Sequence, residues 1–381
     1  MKYYLIAGEA SGDLHGANLM RALRQQDPDA HFRFWGGDRM AEVGGTPVRH
    51  IRDLAIMGFV EVVTHLRTVL GNIRFCKEDV LQYHPDVLVT IDYPGFNLKI
   101  ARYAHEHGIK TLHYISPQLW AWKKGRIKSM RRDLDRLCYI LPFEQDFYRE
   151  NHFPGAVYVG HPLLDAVTSF QAEHAETPSA RKTIALLPGS RRQELNKMYP
   201  EMLKLASRHP EYDFVVAGMT LLGDKFYHDL QQRTCRQLGL DESSLSHVKV
   251  LYNQTYQLLS GAYAAVVCSG TATLETALFN VPQVVCYKAN PLSIAIARRI
   301  VEKRVKYISL VNLIADAPIV TELIQEDLND DRLEQEFALI TTHPDSRQKM
   351  LQGYATLHTL VGNLGASSRT AQEIQKLILN S

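Results

Sequence analysis

The sequence predicts an α/β protein of two parallel-sheet domains facing a cleft, and three observations predict it. Short apolar runs alternate with amphipathic stretches of helical period along the chain, from residues 3–7 to residues 283–287; strands separated by helices build βαβ units and parallel sheets. The 381 residues exceed the roughly 250–300 at which a single core stops growing. Residues 168–182 are poor in large apolar side chains, as interdomain connections are. The expected division is therefore 1–167, a linker at 168–182, 183–345 and a terminal helical segment 346–381.

In the first half, residues 3–7 are a short continuous apolar run, as in a strand buried on both faces. The turn Gly8-Glu9-Ala10-Ser11-Gly12-Asp13 follows, then an amphipathic helix carrying Leu19, Met20 and Leu23. Glycines at 8, 12 and 16 do not fit the G-x-G-x-x-G spacing, so a dinucleotide is not inferred. Strand 31–35 ends in Gly36-Gly37-Asp38-Arg39-Met40, where a ligand could approach the backbone closely. The run 86–91 is the clearest strand of this half and delivers Asp92 at its C-terminal end, ahead of Tyr93-Pro94-Gly95-Phe96-Asn97. In a parallel sheet that is the ligand side. A carboxylate there can take a proton from a hydroxyl or cap a helix, and both readings stay open.

Strand 110–115 leads into Ser116-Pro117-Gln118-Leu119-Trp120-Ala121-Trp122. A basic run follows: Lys123, Lys124, Arg126, Lys128, Arg131, Arg132 and Arg136, relieved by Asp133 and Asp135. It reads as a solvated helix face or as a surface for anions. Strand 136–141 turns at Pro142-Phe143-Glu144 into a helix, and Gly160-His161-Pro162 closes the half. Ahead of strand 86–91, Ile73, Cys76, Val80 and Leu81 already supply a core-facing stripe. Phe59, Val60, Val62, Val63, Leu66, Val69 and Leu70 are then a surplus, with His65, Arg67, Arg74 and Lys77 nearby. Segment 59–70 is accordingly expected to be an interfacial helix facing anionic headgroups, against the plainer reading of a core helix or subunit contact.

The second half opens with the apolar run 183–187, which breaks at Pro188-Gly189 into Ser190-Arg191-Arg192-Gln193-Glu194 and a helix. A helix N-terminus offers free N–H donors and a partial positive charge, and the Arg191 guanidinium suits phosphate oxygens. The stretch reads as a phosphate cradle, or else as an N-cap at Ser190 beside solvated arginines. Strands are expected at 214–217, 248–251, 264–268 and 283–287. The third runs into Ser269-Gly270-Thr271 and a helix start, with Glu275 one turn on, where a carboxylate could meet ribose hydroxyls. Asn312 follows a strand-like run at 307–311.

Several classes are excluded. Lys and Arg total 43 against 41 Asp and Glu, a formal charge of +2, which carries no global footprint for nucleic acid. Cys76, Cys138, Cys235, Cys268 and Cys286 have no ligand spacing and read as reduced core residues. The apolar run at the N-terminus is too short for a signal peptide, and none reaches the about 18 residues of a membrane span, so a cytoplasmic protein is expected. Asp27-Pro28-Asp29 lies after a helix and Asp133-Leu134-Asp135 inside the basic run, neither suited to a metal site. No G-x-S-x-G elbow occurs.

Taken in order, the motifs resemble those of the lipid-A-disaccharide synthases: Gly8-Glu9-Ala10-Ser11-Gly12-Asp13, Gly36-Gly37-Asp38-Arg39-Met40, Ile91-Asp92, Ser116-Pro117 with Trp120-Ala121-Trp122, Leu141-Pro142-Phe143-Glu144, Gly160-His161-Pro162, Leu187-Pro188-Gly189-Ser190-Arg191, Ser269-Gly270-Thr271 with Glu275, and Tyr307-Ile308-Ser309-Leu310 with Asn312. Gly95 stands where that family has Asp, and Val311 and Thr321 replace prolines. The resemblance implies two Rossmann-like domains of the glycosyltransferase B type, with C-terminal helices crossing back to the first.

It also implies an inverting transfer from UDP-2,3-diacylglucosamine to the 6-hydroxyl of 2,3-diacylglucosamine 1-phosphate, giving the β-1,6-linked lipid A disaccharide 1-phosphate and UDP. By the same resemblance Asp92 is the base and Arg191 the electrophilic clamp. Gly8, Glu9, Ser11, Gly12, Asp13, Gly189, Ser190, Ser269, Gly270, Thr271, Glu275 and Asn312 bind UDP or substrate, with no metal or cofactor. An enzyme of this kind would sit peripherally on the inner face of the cytoplasmic membrane, bind no nucleic acid and be compatible with a homodimer. Two alternatives stand beside it: a nucleotide-sugar 2-epimerase and a non-catalytic UDP-lipid binding protein.

Overall fold

In the computed structural model, residues 1–53, 66–120, 125–174, 181–288 and 306–379 are described. The chain forms two compact units, Met1–Pro162 with Gly362–Ser381 and Leu163–Val361.

The first unit is built on seven strands: β1 (Lys2–Ala7), β2 (His31–Gly36), β3 (Thr46–His50), β4 (Val87–Ile91), β5 (Lys110–Tyr114), β6 (Arg136–Tyr139) and β7 (Ala156–Tyr158). They lie in the order β3-β2-β1-β4-β5-β6-β7, every pair parallel. β3 was not expected from the sequence: it carries Pro47, Arg49 and His50 and sits at an edge, where apolar continuity is not required.

The order reverses between β1 and β4, where Ala7 pairs with Ile91. Open α/β sheets hold their ligands outside the strand ends at such a switch point. The Gly8–Asp13 turn and Asp92 follow those two partners directly. Helices cover both faces. In α3 (Leu66–Tyr83) the buried side is Cys76 and Val80 with Ile73 and Leu81 against them, as the helical spacing predicts. Tyr4, Ile6, Trp35 and Leu88 complete that core, each buried side chain of this size contributing about 1.5–3 kcal/mol.

The second unit repeats the plan with six parallel strands: β8 (Thr183–Leu187), β9 (Asp213–Gly218), β10 (Val248–Tyr252), β11 (Ala262–Cys268), β12 (Gln283–Tyr287) and β13 (Thr321–Ile324). Their order is β10-β9-β8-β11-β12-β13. Here the switch point lies between β8 and β11, with Leu187 opposite Val267. The two glycine turns of this half follow, Gly189 two residues past Leu187 and Gly270 three residues past Val267. Ile184, Leu186, Met198, Met202, Phe214, Val266 and Phe337 form the core.

Three sequence expectations are corrected. The first part of the expected linker 168–182, residues 168–173, is helix: α7 (Pro162–Glu173) belongs largely to the second unit. Phe170 anchors it there, edge-on to Tyr256 at 5.7 Å and to Phe279 at 6.0 Å. Residues 175–180 lie outside the described residues. The return to the first unit comes later than 346: α14 (Pro344–Leu360) stays in the second unit, where the Tyr354 hydroxyl donates to the Val281 carbonyl. Only α15 (Ala366–Leu379) packs with the first, its Gln375 amide donating to the Tyr3 hydroxyl at 2.7 Å. The strand-like run 307–311 instead starts helix α12 (Leu310–Ala315), because the Ser309 hydroxyl caps it by accepting from the Asn312 N–H.

All five cysteines are buried thiols. Among the described residues no helix is long and apolar enough to cross a membrane. Residues 54–65 lie outside the described part and take in 59–65 of the expected interfacial segment 59–70; Ala121, Trp122, Lys123 and Lys124 lie outside it as well.

Candidate active site

The first unit's edge is held in an uncommon backbone. Asp92 and Tyr93 are consecutive non-glycine residues at φ +46° and +49°, and such positions cost on the order of 1–3 kcal/mol each. The buried Asn97 fastens them: its amide donates to the carbonyls of Ile91 (3.1 Å) and Asp92 (2.6 Å). The Asp92 N–H donates across the sheet to the Tyr114 carbonyl at 2.9 Å. Pro94 then starts α4 (Pro94–Glu106) at its first turn. The Asp92 side chain is left partly exposed at the strand end. The Tyr93 ring lies against Gly8, where any side chain would collide with it; this is why the first turn opens on glycine.

Asp13 takes a different part from the one expected. It is buried, and its carboxylate accepts from the backbone N–H groups of Gly37 (2.6 Å), Arg39 (3.1 Å) and Met40 (3.1 Å). It therefore caps α2 (Asp38–Val43) and ties the two glycine turns together. Glu9 and Ser11 keep side chains that reach solvent at the start of α1 (Ala10–Gln26).

Past β5, Ile115 stands at φ +68°, and Ser116 hydrogen-bonds the Tyr148 hydroxyl. Glu144 is almost wholly buried near them, and burial pushes its carboxyl up to about 8. Its Oε2 accepts from the Leu141 N–H at 3.4 Å, while Oε1 has no partner among the described residues. His15 and His161 are buried as well, and burial holds them down at about 4 and about 3.

In the second unit, Gly189 adopts φ +104° and Arg191 is the N-cap of α8 (Arg192–Arg208). The N–H groups of Ser190 and Arg191 donate to Glu194 Oε2 at 3.2 and 3.3 Å, and the Arg191 guanidinium to Oε1 at 3.4 Å. Gly270 caps α11 (Thr271–Leu278), with open space where a side chain would point, and Thr271 is exposed. Because β8 and β11 are neighbours, the N-termini of α8 and α11 open on one edge, where their partial charges favour an anion.

Ser269 donates through Oγ to the Ile308 carbonyl at 3.1 Å. Glu275 accepts from the Tyr256 hydroxyl at 3.1 Å, and burial pushes its carboxyl up against that bond's lowering effect. Asn312, expected to contact UDP, has its amide donating to Val320 O (2.8 Å) and Glu322 Oε1 (3.0 Å) and its carbonyl accepting from the Val320 N–H (3.0 Å). It is buried. Its polar capacity holds α12 to the start of β13.

Each switch point thus gathers its own half's predicted residues: Gly8–Asp13 with Asp92 in one unit, Gly189–Arg191 with Ser269–Glu275 in the other. Sequence reasoning passed over Glu194. Its signal was the N-cap to N3 spacing from Arg191, which a capping-box reading would have found.

A family model described as lipid-A-disaccharide synthetase matches residues 3–376. Proteins named lipid-A-disaccharide synthase are similar over nearly the whole chain. That of Geobacter sulfurreducens is 36% identical, covering 98% of this chain and 96% of its own, and that of Syntrophus aciditrophicus 37% identical, covering 99% and 98%. Among solved structures, a Staphylococcus aureus MnaA–UDP complex superposes with a TM-score of 0.70 at 13% identity, covering 100% of this chain and 97% of that one. A UDP-GlcNAc 2-epimerase from Neisseria meningitidis bound to UDP-GlcNAc gives 0.61 at 14% identity, covering 100% of both. At these identities the structures share the fold.

Proposed function

The chain belongs to the lipid-A-disaccharide synthetase family, and from that premise we propose how its two strand-edge sites divide the reaction. It is a hexosyltransferase of lipid A synthesis, joining UDP-2,3-diacylglucosamine to 2,3-diacylglucosamine 1-phosphate. The observation that carries the division of labour is that each unit brings its motifs to its own switch point, one bearing a carboxylate and the other two helix N-termini with an arginine.

We assign the proton acceptor to the first unit. Asp92 takes the proton of the acceptor's 6-hydroxyl as that oxygen forms its bond to the anomeric carbon. The bond from that carbon to the diphosphate oxygen breaks, and its electron pair leaves with UDP. A single displacement inverts configuration and gives the β-1,6 linkage. The charge that grows on the leaving diphosphate is met in the second unit by Arg191 and by the N–H groups of Gly189, Ser190, Gly270 and Thr271, fixed before the reaction starts. Glu275 receives the ribose hydroxyls. Asp13 and Asn312 act as positioning residues, since their polar atoms are engaged within the protein.

The diacyl substrates support a peripheral place on the inner face of the cytoplasmic membrane. Leu70 and Phe75, 53% and 40% exposed on α3 beside the exposed Arg67 and Arg74, fit such a surface.

The test is purified protein with both lipid substrates, read by mass spectrometry. Disaccharide 1-phosphate and UDP are expected. An epimerised UDP-sugar without disaccharide would favour the 2-epimerase, and unchanged substrate released after binding would favour a carrier.

A further inference from the structure

We infer that Glu194 is the resident counter-ion of the diphosphate cradle, exchanged for the donor's diphosphate on binding and returning to help expel UDP. The inference rests on the assignment of the diphosphate to Gly189, Ser190 and Arg191. Those are the donors that Glu194 already holds: two backbone N–H groups on Oε2 and the Arg191 guanidinium on Oε1.

An ordinary capping box uses its N3 carboxylate for the N-cap N–H alone. Here the same oxygen also takes the N–H of the preceding residue, and the second oxygen takes the only guanidinium assigned to the ligand. Space for this is made by Gly189. A Cβ at that position would stand 2.5 Å from Glu194 Oε2 and 2.9 Å from the Glu194 Cβ. The carboxylate turns back over the loop at Ser190 and Arg191. After burial, its charge helps push up the Cys268 thiol, at the end of β11, and, after burial and Cys268 and against Arg191, the Tyr287 hydroxyl, at the end of β12. Its side chain is a quarter exposed, at 25%, so it has room to leave.

The three bonds, at 3.2–3.4 Å, sit at or beyond the long end for N–H···O contacts. A diphosphate offers more oxygens and more charge, and charge-assisted bonds to it are shorter and stronger. A carboxylate and a diphosphate cannot share these donors without repelling each other, so one displaces the other. Before the donor binds, Glu194 satisfies the turn's N–H groups and holds the Arg191 guanidinium. After transfer the same carboxylate competes with UDP for its donors.

The experiment compares the full-length protein with Glu194→Gln, which keeps a neutral acceptor for the helix cap. UDP binding is measured by calorimetry, and donor KM and kcat by steady-state assay. Tighter UDP binding in the variant, by about tenfold and on the scale of one charge coupling, is expected. Donor KM should fall and kcat should fall with it as UDP release slows. Arg191→Ala should shrink the gain in a double-mutant cycle. Wild-type protein that binds no UDP would reject the diphosphate assignment itself. Wild-type protein that binds UDP, with a variant binding it equally or more weakly, would overturn the counter-ion role and leave Glu194 as a helix cap. Glu194→Ala repeats the comparison should the glutamine variant lose its cooperative melt.

Discussion

Asp92 carries its carboxylate on a left-handed backbone that one buried amide, Asn97, holds in place. Strain fixed this way sets the direction of the side chain before any substrate arrives. Asp92→Asn keeps the shape and removes the proton acceptor, so turnover should fall about 10² to 10⁴-fold while UDP affinity by calorimetry stays within twofold or so of wild type. A variant keeping half the turnover would remove Asp92 from the role. Glu144 makes the pH-dependent case. Its folded value of about 8 lies above the ordinary 4.5, so the folded protein holds a proton that the unfolded chain has lost. Stability from this group is present below about 4.5 and is lost as pH rises through about 8. Glu144→Gln, permanently neutral, should therefore gain melting temperature over wild type progressively from pH 5 to pH 8. A difference that does not change with pH would show that the carboxyl is not buried in the neutral form.

At the scale of elements, turns are built by residues from outside them. The N-terminus of α2 is capped by Asp13, on α1, through three N–H groups. The cap requires Gly37, where a Cβ would lie 2.6 Å from the Asp13 carboxylate. Asp13→Ala leaves those buried donors without a partner, and a lost cap of this kind costs about 1–2 kcal/mol or more. Denaturant unfolding should show that loss, with KM for the donor less affected than stability. An unchanged midpoint would mean that the three contacts are not made. In the second unit the same principle runs through Asn312 and Glu322, which hold α12 against β13.

Across the whole molecule, both units have the same strand order about a central pair, and each spends its switch point on one kind of chemistry. Surface remains for the lipid. Leu70 and Phe75 are among the exposed large apolar residues of the described chain, and α3 buries its other face through Cys76 and Val80. Leu70→Ser with Phe75→Ser should lower sedimentation with anionic liposomes while the cooperative melt survives. Sedimentation equal to wild type would move the membrane contact away from this helix.

The sequence by itself determined what is local. An apolar run ending at a glycine turn is a strand entering a helix, so Asp92, Gly189 and Ser269 could be placed at strand ends without coordinates, and the order of motifs carried the family. Tertiary structure decided which polar atoms are still free to act. Asp13 and Asn312 look from the chain like ligand contacts, but their partners at 37–40 and 320–322 are distant in sequence or sit across a turn, and a hydrogen bond is chosen by proximity in space. Phe170 shows the same limit for boundaries. One aromatic in a polar stretch reads as linker until Tyr256 and Phe279, more than eighty residues on in the sequence, are found packed against it.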